Sequence, residues 1–212
     1  MLEVIPAIIA HSYEELDQKL KAVESFVEKV QVDIMDGKFV ADTTIGLEEI
    51  EKINTNLQIQ AHLMVMKPEK ILNYWVSSPV ISELIFHIEA ADHHIYKIID
   101  MCLGKGRKVG IAINPGTETI KLYPTIGKID FVQFMTVYPG KYGSDFVESV
   151  LGKISAFHSQ YPNVKIIVDG AMHVETARKA VAAGASAIVA GSHIFAEGRD
   201  ISEAIEELKS SA

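Results

Sequence analysis

The sequence predicts an α/β fold of the closed (β/α)8 TIM-barrel class. Short apolar, β-rich runs recur eight times, amphipathic or polar stretches lie between them, and their spacing of roughly 20–30 residues suits strand–helix units laid down in succession. A doubly wound sheet is the alternative, but it usually opens with a glycine-rich turn after its first strand. Here the first run leads into AHSYEEL, which has no glycine.

The runs, in order, are Glu3–Ile9, Val30–Ile34, Gln58–Val65, Glu83–Ile88, Lys108–Ile113, Phe131–Val137, Val164–Val168 and Ala187–Ala190. Each is rich in β-branched residues and short enough for a barrel strand. Helical periodicity is clearest in Tyr13–Glu28, Lys67–Val76, His93–Leu103, Asp145–Ser159, Val174–Ala183 and the acidic Ser202–Lys209. No linker or low-complexity stretch divides the chain, so residues 1–212 are expected to form one barrel domain.

Composition narrows the function. The chain has 212 residues, 48% of them hydrophobic, and a formal net charge of −8. That balance disfavours nucleic acid and membrane surfaces as partners, since both are polyanions, but it leaves room for a small phosphorylated ligand. A single cysteine, Cys102, excludes an intrachain disulfide and a cysteine metal cluster, and helix packing is its expected role. The opening MLEVIPAIIAHS lacks a basic region or a long apolar run, and no stretch approaches a membrane span; a cytoplasmic protein is expected.

In such a barrel the site lies where the strands end. In VQVDIM, alternation sets Gln31, Asp33 and Met35 on one side and Val30, Val32 and Ile34 on the other. The apolar set suits the helix-covered outside, so Gln31 and Asp33 project into the barrel. Asp36, before Gly37, has the pattern of a turn residue. In QIQAHLMV, Gln60, His62 and Met64 share a side, and VKIIVDG places Asp169 at another strand end. A buried carboxylate is costly unless paired or metal-bound. Two carboxylates across one substrate suit proton removal and return at a carbon beside a carbonyl, one as base and the other as acid. The enediolate formed between those steps needs its oxygen stabilised, and a divalent cation on Asp33, His62 and Asp169 would do so as a Lewis acid.

A phosphate site is expected nearby. Gly140 and Gly143 in VYPGKYG let backbone N–H groups turn toward an anion, and Gly170 lies in the same region. Gly191 and Ser192 in VAGSHIF are expected to open a short helix, whose first N–H groups and hydroxyl suit phosphate.

The segments IPAIIAHS, VDIMDGKFV followed by TTIG, AHLMV, HIEAADHH, GIAINPGT, FMTVYPGKYG, IIVDGAM and VAGSHIF, in this order, make the chain resemble the ribulose-phosphate 3-epimerase family along nearly its whole length. The resemblance implies a ribulose-phosphate-binding barrel that interconverts D-ribulose 5-phosphate and D-xylulose 5-phosphate at C3. It implies Asp33 and Asp169 as the acid/base pair, and one divalent ion, often zinc or iron, on Asp33, His62 and Asp169. It places Met35, Met64 and Met135 along the pocket with His62. The phosphate falls on Gly140–Gly143, Gly170–Ala171 and Gly191–Ser192. It also implies a homo-oligomer, a dimer or a hexamer.

The chain departs from the family at several of these positions. The family has a fourth metal ligand, a histidine, where this chain has Gln31, and a substrate-contacting serine where it has Ala7. Ala171 replaces a glycine, and YPGKYG brings Tyr138, Lys141 and Tyr142 into a loop that reads NPGFGG in the family. An amide oxygen is a harder, weaker ligand than imidazole, so a cation is expected to bind less tightly, with a shift toward magnesium or manganese. Lys141 either restores positive charge near the phosphate or is a solvated loop residue. Beside the pentose-phosphate epimerase stand two other functions: an epimerase for another ketose phosphate, such as a hexulose 6-phosphate, with the pocket reshaped by Ala7, Tyr138 and Tyr142, and a sugar-phosphate-binding protein without turnover.

Overall fold

The computed structural model describes residues 2–139 and 144–211. Eight parallel strands close into a barrel in sequence order: β1 (Glu3–Ile8), β2 (Lys29–Met35), β3 (Gln58–Met64), β4 (Ile81–His87), β5 (Lys108–Ile113), β6 (Phe131–Met135), β7 (Lys165–Asp169) and β8 (Ala187–Ala190). β8 pairs back onto β1 through Glu3–Ala187 to Pro6–Ala190, which leaves the sheet without an edge. The predicted fold class is the one observed, and every expected run holds a strand, with ends displaced by two residues or fewer.

The crossovers are less regular than the strands. α1 (Tyr13–Val23) begins where the Ser12 hydroxyl accepts the N–H of Glu15 at 3.2 Å, and it buries Leu16, Leu20 and Val23 along one face. The five residues expected to prolong it turn the chain into β2 instead. The β2–β3 crossover has only one helical turn, α2 (Leu47–Ile50). After β3 a 3₁₀ turn, Pro68–Lys70, precedes α3 (Leu72–Ser77), and α4 (Ile88–Ala91) leads through a second 3₁₀ turn into α5 (Ile95–Gly104). The β5–β6 crossover is a 3₁₀ stretch, Thr119–Lys128, that contains Pro124, whose missing N–H and fixed ring do not suit an α-helix. α6 (Ser149–Gln160), α7 (Val174–Ala182) and α8 (Ile201–Lys209) complete the outer layer. None of the described helices is long and apolar enough to cross a membrane.

Two apolar layers follow from the alternation of the strands. Val30, Val32 and Ile34 of β2 belong to the large core between barrel and helices, as expected. A smaller core of Ile5, Ala7, Ile85, Ala112, Phe131, Met135, Ile167, Ala187 and Val189 fills the barrel interior. Gly110 is required there, because a Cβ on it would lie 2.1 Å from the Phe131 ring. Polar residues share that interior: Gln31, Asp33, Gln60, His62, Glu83, His87, Gln133 and Asp169 are all buried. Cys102 is packed inside α5, and burial pushes its thiol up to about 12, in keeping with a packing role.

Candidate active site

Strand register assembles the site. Across β2 and β3, Gln31 pairs with Gln60, Asp33 with His62 and Met35 with Met64, so one row of three from each strand points the same way. Ala7 of β1 sits beside Gln31, and Met135 of β6 beside Asp169 of β7. At the mouth these side chains line a single cavity: Ala7, Asp33, Met35, His62, Met64, Met135 and Asp169 form its lower part, and Gly170, Ala171, Gly191 and Ser192 its upper part. The sequence had proposed all eleven. Gln31 is wholly buried beneath them. Gly140, Lys141, Tyr142 and Gly143 lie outside the described residues.

The two carboxylates meet in this cavity. One oxygen of Asp33, one of Asp169 and a ring nitrogen of His62 all lie within 4.8 Å of one another. His62 Nδ1 stands 3.0 Å from Asp33 Oδ1 and 3.7 Å from Asp169 Oδ2. Burial, then the Asp33 charge, pushes Asp169 up to about 7. An imidazole nitrogen with two carboxylate oxygens is a donor set that suits a divalent cation and leaves a position open. The structure therefore fits the three ligands expected.

Gln31 takes a different position from that of a ready ligand. Its amide nitrogen donates to Asp33 Oδ1 and to Asp169 Oδ2, both at 2.8 Å, and lies 3.2 Å from His62 Nδ1. Its oxygen is buried with no hydrogen-bond partner. A nitrogen that carries two protons is no ligand, so the amide has to turn over before it can offer a donor atom to a cation.

Two residues of this site were not singled out from the sequence. Gln133 of β6 is wholly buried and donates to Asp169 Oδ2 at 2.8 Å. His87, the last residue of β4, lies against His62, with the two Nε2 atoms 2.9 Å apart and the rings stacked. Burial pushes His87 down to about 4, so it is neutral, and its Nδ1 faces Glu89 Oε2 at 3.4 Å. The signal for both was the alternation already used for β2: in FVQFM, Gln133 shares a side with Met135, and in ELIFH, His87 shares a side with Glu83.

The phosphate end differs in detail from expectation. Gly191 and Ser192 open a turn instead of a helix, in which the N–H groups of Ile194 and Phe195 both return to the Gly191 carbonyl at 3.0 Å. The next helix along the chain is α8, so Gly191 and Ser192 open no helix themselves. Gly170 has φ +120, and a Cβ there would strike Val137, whereas Ala171 holds a left-handed φ of +50 despite its side chain. Asp36 behaves as a turn residue. Burial raises its carboxyl, but the N–H groups of Phe39, Met66 and Lys38 outweigh that and hold it below the usual range.

The chain matches the Ribulose-phosphate 3 epimerase family over residues 3–195. It belongs to that family. Membership makes it an enzyme of the epimerase class. It is 32% identical to the ribulose-phosphate 3-epimerase of Bacillus subtilis, with all of both chains covered. The ribulose-phosphate 3-epimerase of Methanocaldococcus jannaschii is 33% identical, over all of this chain and 92% of its own length. Among solved structures, a 3-hexulose-6-phosphate synthase superposes with a TM-score of 0.75 over 99% of each chain at 18% identity, a likeness of fold alone.

Proposed function

We propose that this member of the family interconverts D-ribulose 5-phosphate and D-xylulose 5-phosphate. Asp33 and Asp169 are the acid/base pair: one takes the C3 proton from one face, and the other returns a proton to the opposite face. The observation that carries this proposal is the placement of the two buried carboxylates, from strands β2 and β7, on one cavity with an oxygen of each within 4.8 Å of the same His62 nitrogen. Asp169, pushed up toward neutrality, suits a group that must both give and take a proton near pH 7.

The apolar floor and walls around the pair, Met35, Met64, Met135 and Ala7, keep water from the reacting carbon, and the backbone at Gly170–Ala171 and Gly191–Ser192 faces the phosphate. Gly140, Lys141, Tyr142 and Gly143 complete that end in the same proposal. A divalent cation on Asp33, His62 and Asp169, with Gln31 Oε1 as a fourth donor once the amide turns over, would stabilise the negative oxygen of the intermediate. The cytoplasmic location, the homo-oligomeric state and the assignment of residues 1–212 to one barrel domain belong to the same proposal.

Ribulose 5-phosphate in deuterated water tests the reaction. Deuterium at C3 together with xylulose 5-phosphate, followed by NMR, is the expected result. Exchange and epimerisation of a hexulose 6-phosphate alone would replace the substrate. Binding of the pentose phosphate without exchange, with magnesium, manganese, iron and zinc each supplied, would replace catalysis by binding.

A further inference from the structure

Two carboxyl groups buried together repel once both are ionised, and something must hold them while no cation lies between them. The described contacts to Asp169 and Asp33 show what does so here. Asp169 Oδ2 accepts from Gln31 and from Gln133, each at 2.8 Å, and Asp33 Oδ1 accepts from Gln31 at 2.8 Å. All four residues are buried, and the two glutamines are wholly so. One amide nitrogen carries two protons about 120° apart, so Gln31 can donate to both carboxylates from a single atom, which no imidazole nitrogen can do. The direction of the amide is set by its neighbours. Turned over, it would put its oxygen 2.8 Å from two carboxylate oxygens, which only accept when both groups are ionised.

We propose that Gln31 and Gln133 form a buried amide clamp that stands in for the cation, holding Asp33 and Asp169 as a pair in the metal-free protein, so that a metal must displace the Gln31 amide to load. The clamp rests on the carboxylate pair of the function proposed above but not on its substrate. It accounts for the position of the Gln31 nitrogen, which lies within 3.2 Å of a donor atom on each of the three residues that suit a metal. It also gives Gln133 a task, since a primary amide in the barrel interior needs partners. The clamp makes Gln133 a positioning residue, acting on the reaction only through Asp169.

Thermal unfolding of the whole protein with a chelator and with manganese tests the clamp without any need for turnover. At one fixed manganese concentration the wild-type midpoint is expected to rise less than that of a variant without the clamp, because the metal must first displace the Gln31 amide and so binds more weakly. Gln31→Glu keeps the shape of the side chain but replaces the donor with a third carboxylate. Its midpoint in chelator is expected to fall by about 10 °C, and manganese should restore most of the loss. Should that variant fold in neither condition, Gln133→Leu decides. A loss in chelator that manganese relieves supports the clamp, and an equal loss in both conditions marks a packing role and overturns it. A wild-type protein that gains as much from manganese as the Gln31→Glu variant overturns it too, as does a Gln31→Glu variant whose midpoint in chelator equals that of wild type. A protein with the expected unfolding pattern and no epimerisation would sink the function proposed above and leave the clamp standing.

Discussion

The two ends of the barrel interior both bury charge, and they neutralise it in opposite ways. At the end where the strands begin, Lys29 lies 2.7 Å from Glu83 and 3.3 Å from Glu3, and Gln60 donates to the second oxygen of Glu83 at 2.7 Å. Burial works against the Lys29 charge, but Glu83 and Glu3 outweigh it and hold the ammonium above its usual range. Opposite charges meet there, and the remaining lone pairs are largely filled. At the mouth, two carboxylates face each other, the nearest nitrogen groups are neutral amides and His62, and burial, then the Asp33 charge, drives Asp169 up. The lower cluster is an ion pair that fixes one structure. The upper cluster is left partly uncompensated, which is the condition under which a carboxyl group exchanges protons near neutral pH.

Asp169→Asn tests that contrast with the largest effect. Epimerisation is expected to fall by at least about 10³-fold, because one face of the substrate loses its proton carrier. The same change is expected to stabilise the metal-free protein at pH 8. The folded state holds the Asp169 proton up to about pH 7, whereas the unfolded chain releases it near the ordinary aspartate value of 3.8. Between those pH values the folded state binds more protons, so the contribution of this group to stability falls as pH rises. Urea unfolding at pH 5 and pH 8 should show that fall in the wild type and its loss in the asparagine variant. A variant less stable than wild type at pH 8 would show that Asp169 is compensated as fully as Glu83.

Glu83→Gln at the opposite end should reverse the pattern. Removing the charge leaves Lys29 buried without its closest partner, at a cost of about 3–5 kcal/mol, or about 10 °C in the unfolding midpoint of a chain this long. Turnover per folded molecule should change by no more than about 2-fold, since Glu83 is remote from the reacting atoms. A large loss of turnover with little loss of stability would mean that the two ends are not separable in this way.

The sequence disclosed the upper cluster more fully than the lower one. Asp33, His62 and Asp169 were legible because alternation within a strand and the rule that barrel sites lie at strand ends together fix both side and height. Gln133 and His87 obey the same alternation, but an amide or a lone histidine in an apolar run attracts no attention until its partner is known, and the partners are 36 and 25 residues away along the chain. Gln31 was read as a metal donor because the resemblance places a histidine there. Which end of its amide faces the carboxylates depends on three-dimensional neighbours. The crossovers were least legible. Residues 47–50 make a single turn, too short to show a helical period, Pro124 keeps 119–128 from forming an α-helix, and the turn at Gly191 is set by its return hydrogen bonds, which leave no trace in VAGSHIF.

Backbone strain divides the two ends as charge does, and it offers the smallest test. Among the described residues, the non-glycine positions with positive φ are Lys67, Asp92 and Ala171, and all three lie in connections that follow strands, on the mouth side. Ala171 is the one that lines the cavity, and its carbonyl accepts the Thr176 hydroxyl at 2.7 Å, which helps to hold the φ of +50. A left-handed alanine costs about 1–2 kcal/mol, whereas the extra freedom of glycine in the unfolded chain costs about 0.4–1 kcal/mol. Strain relief outweighs entropy, so Ala171→Gly is expected to raise the unfolding midpoint by about 1–2 °C. An equivalent change away from the mouth, at an alanine with ordinary φ such as Ala204 inside α8, is expected to lower it, because the entropic term and the loss of a buried methyl act with no strain to relieve. A fall at Ala171 as well would mean that the Thr176 contact and the turn around it already favour the left-handed conformation, and that the mouth stores less strain than its dihedral angles indicate.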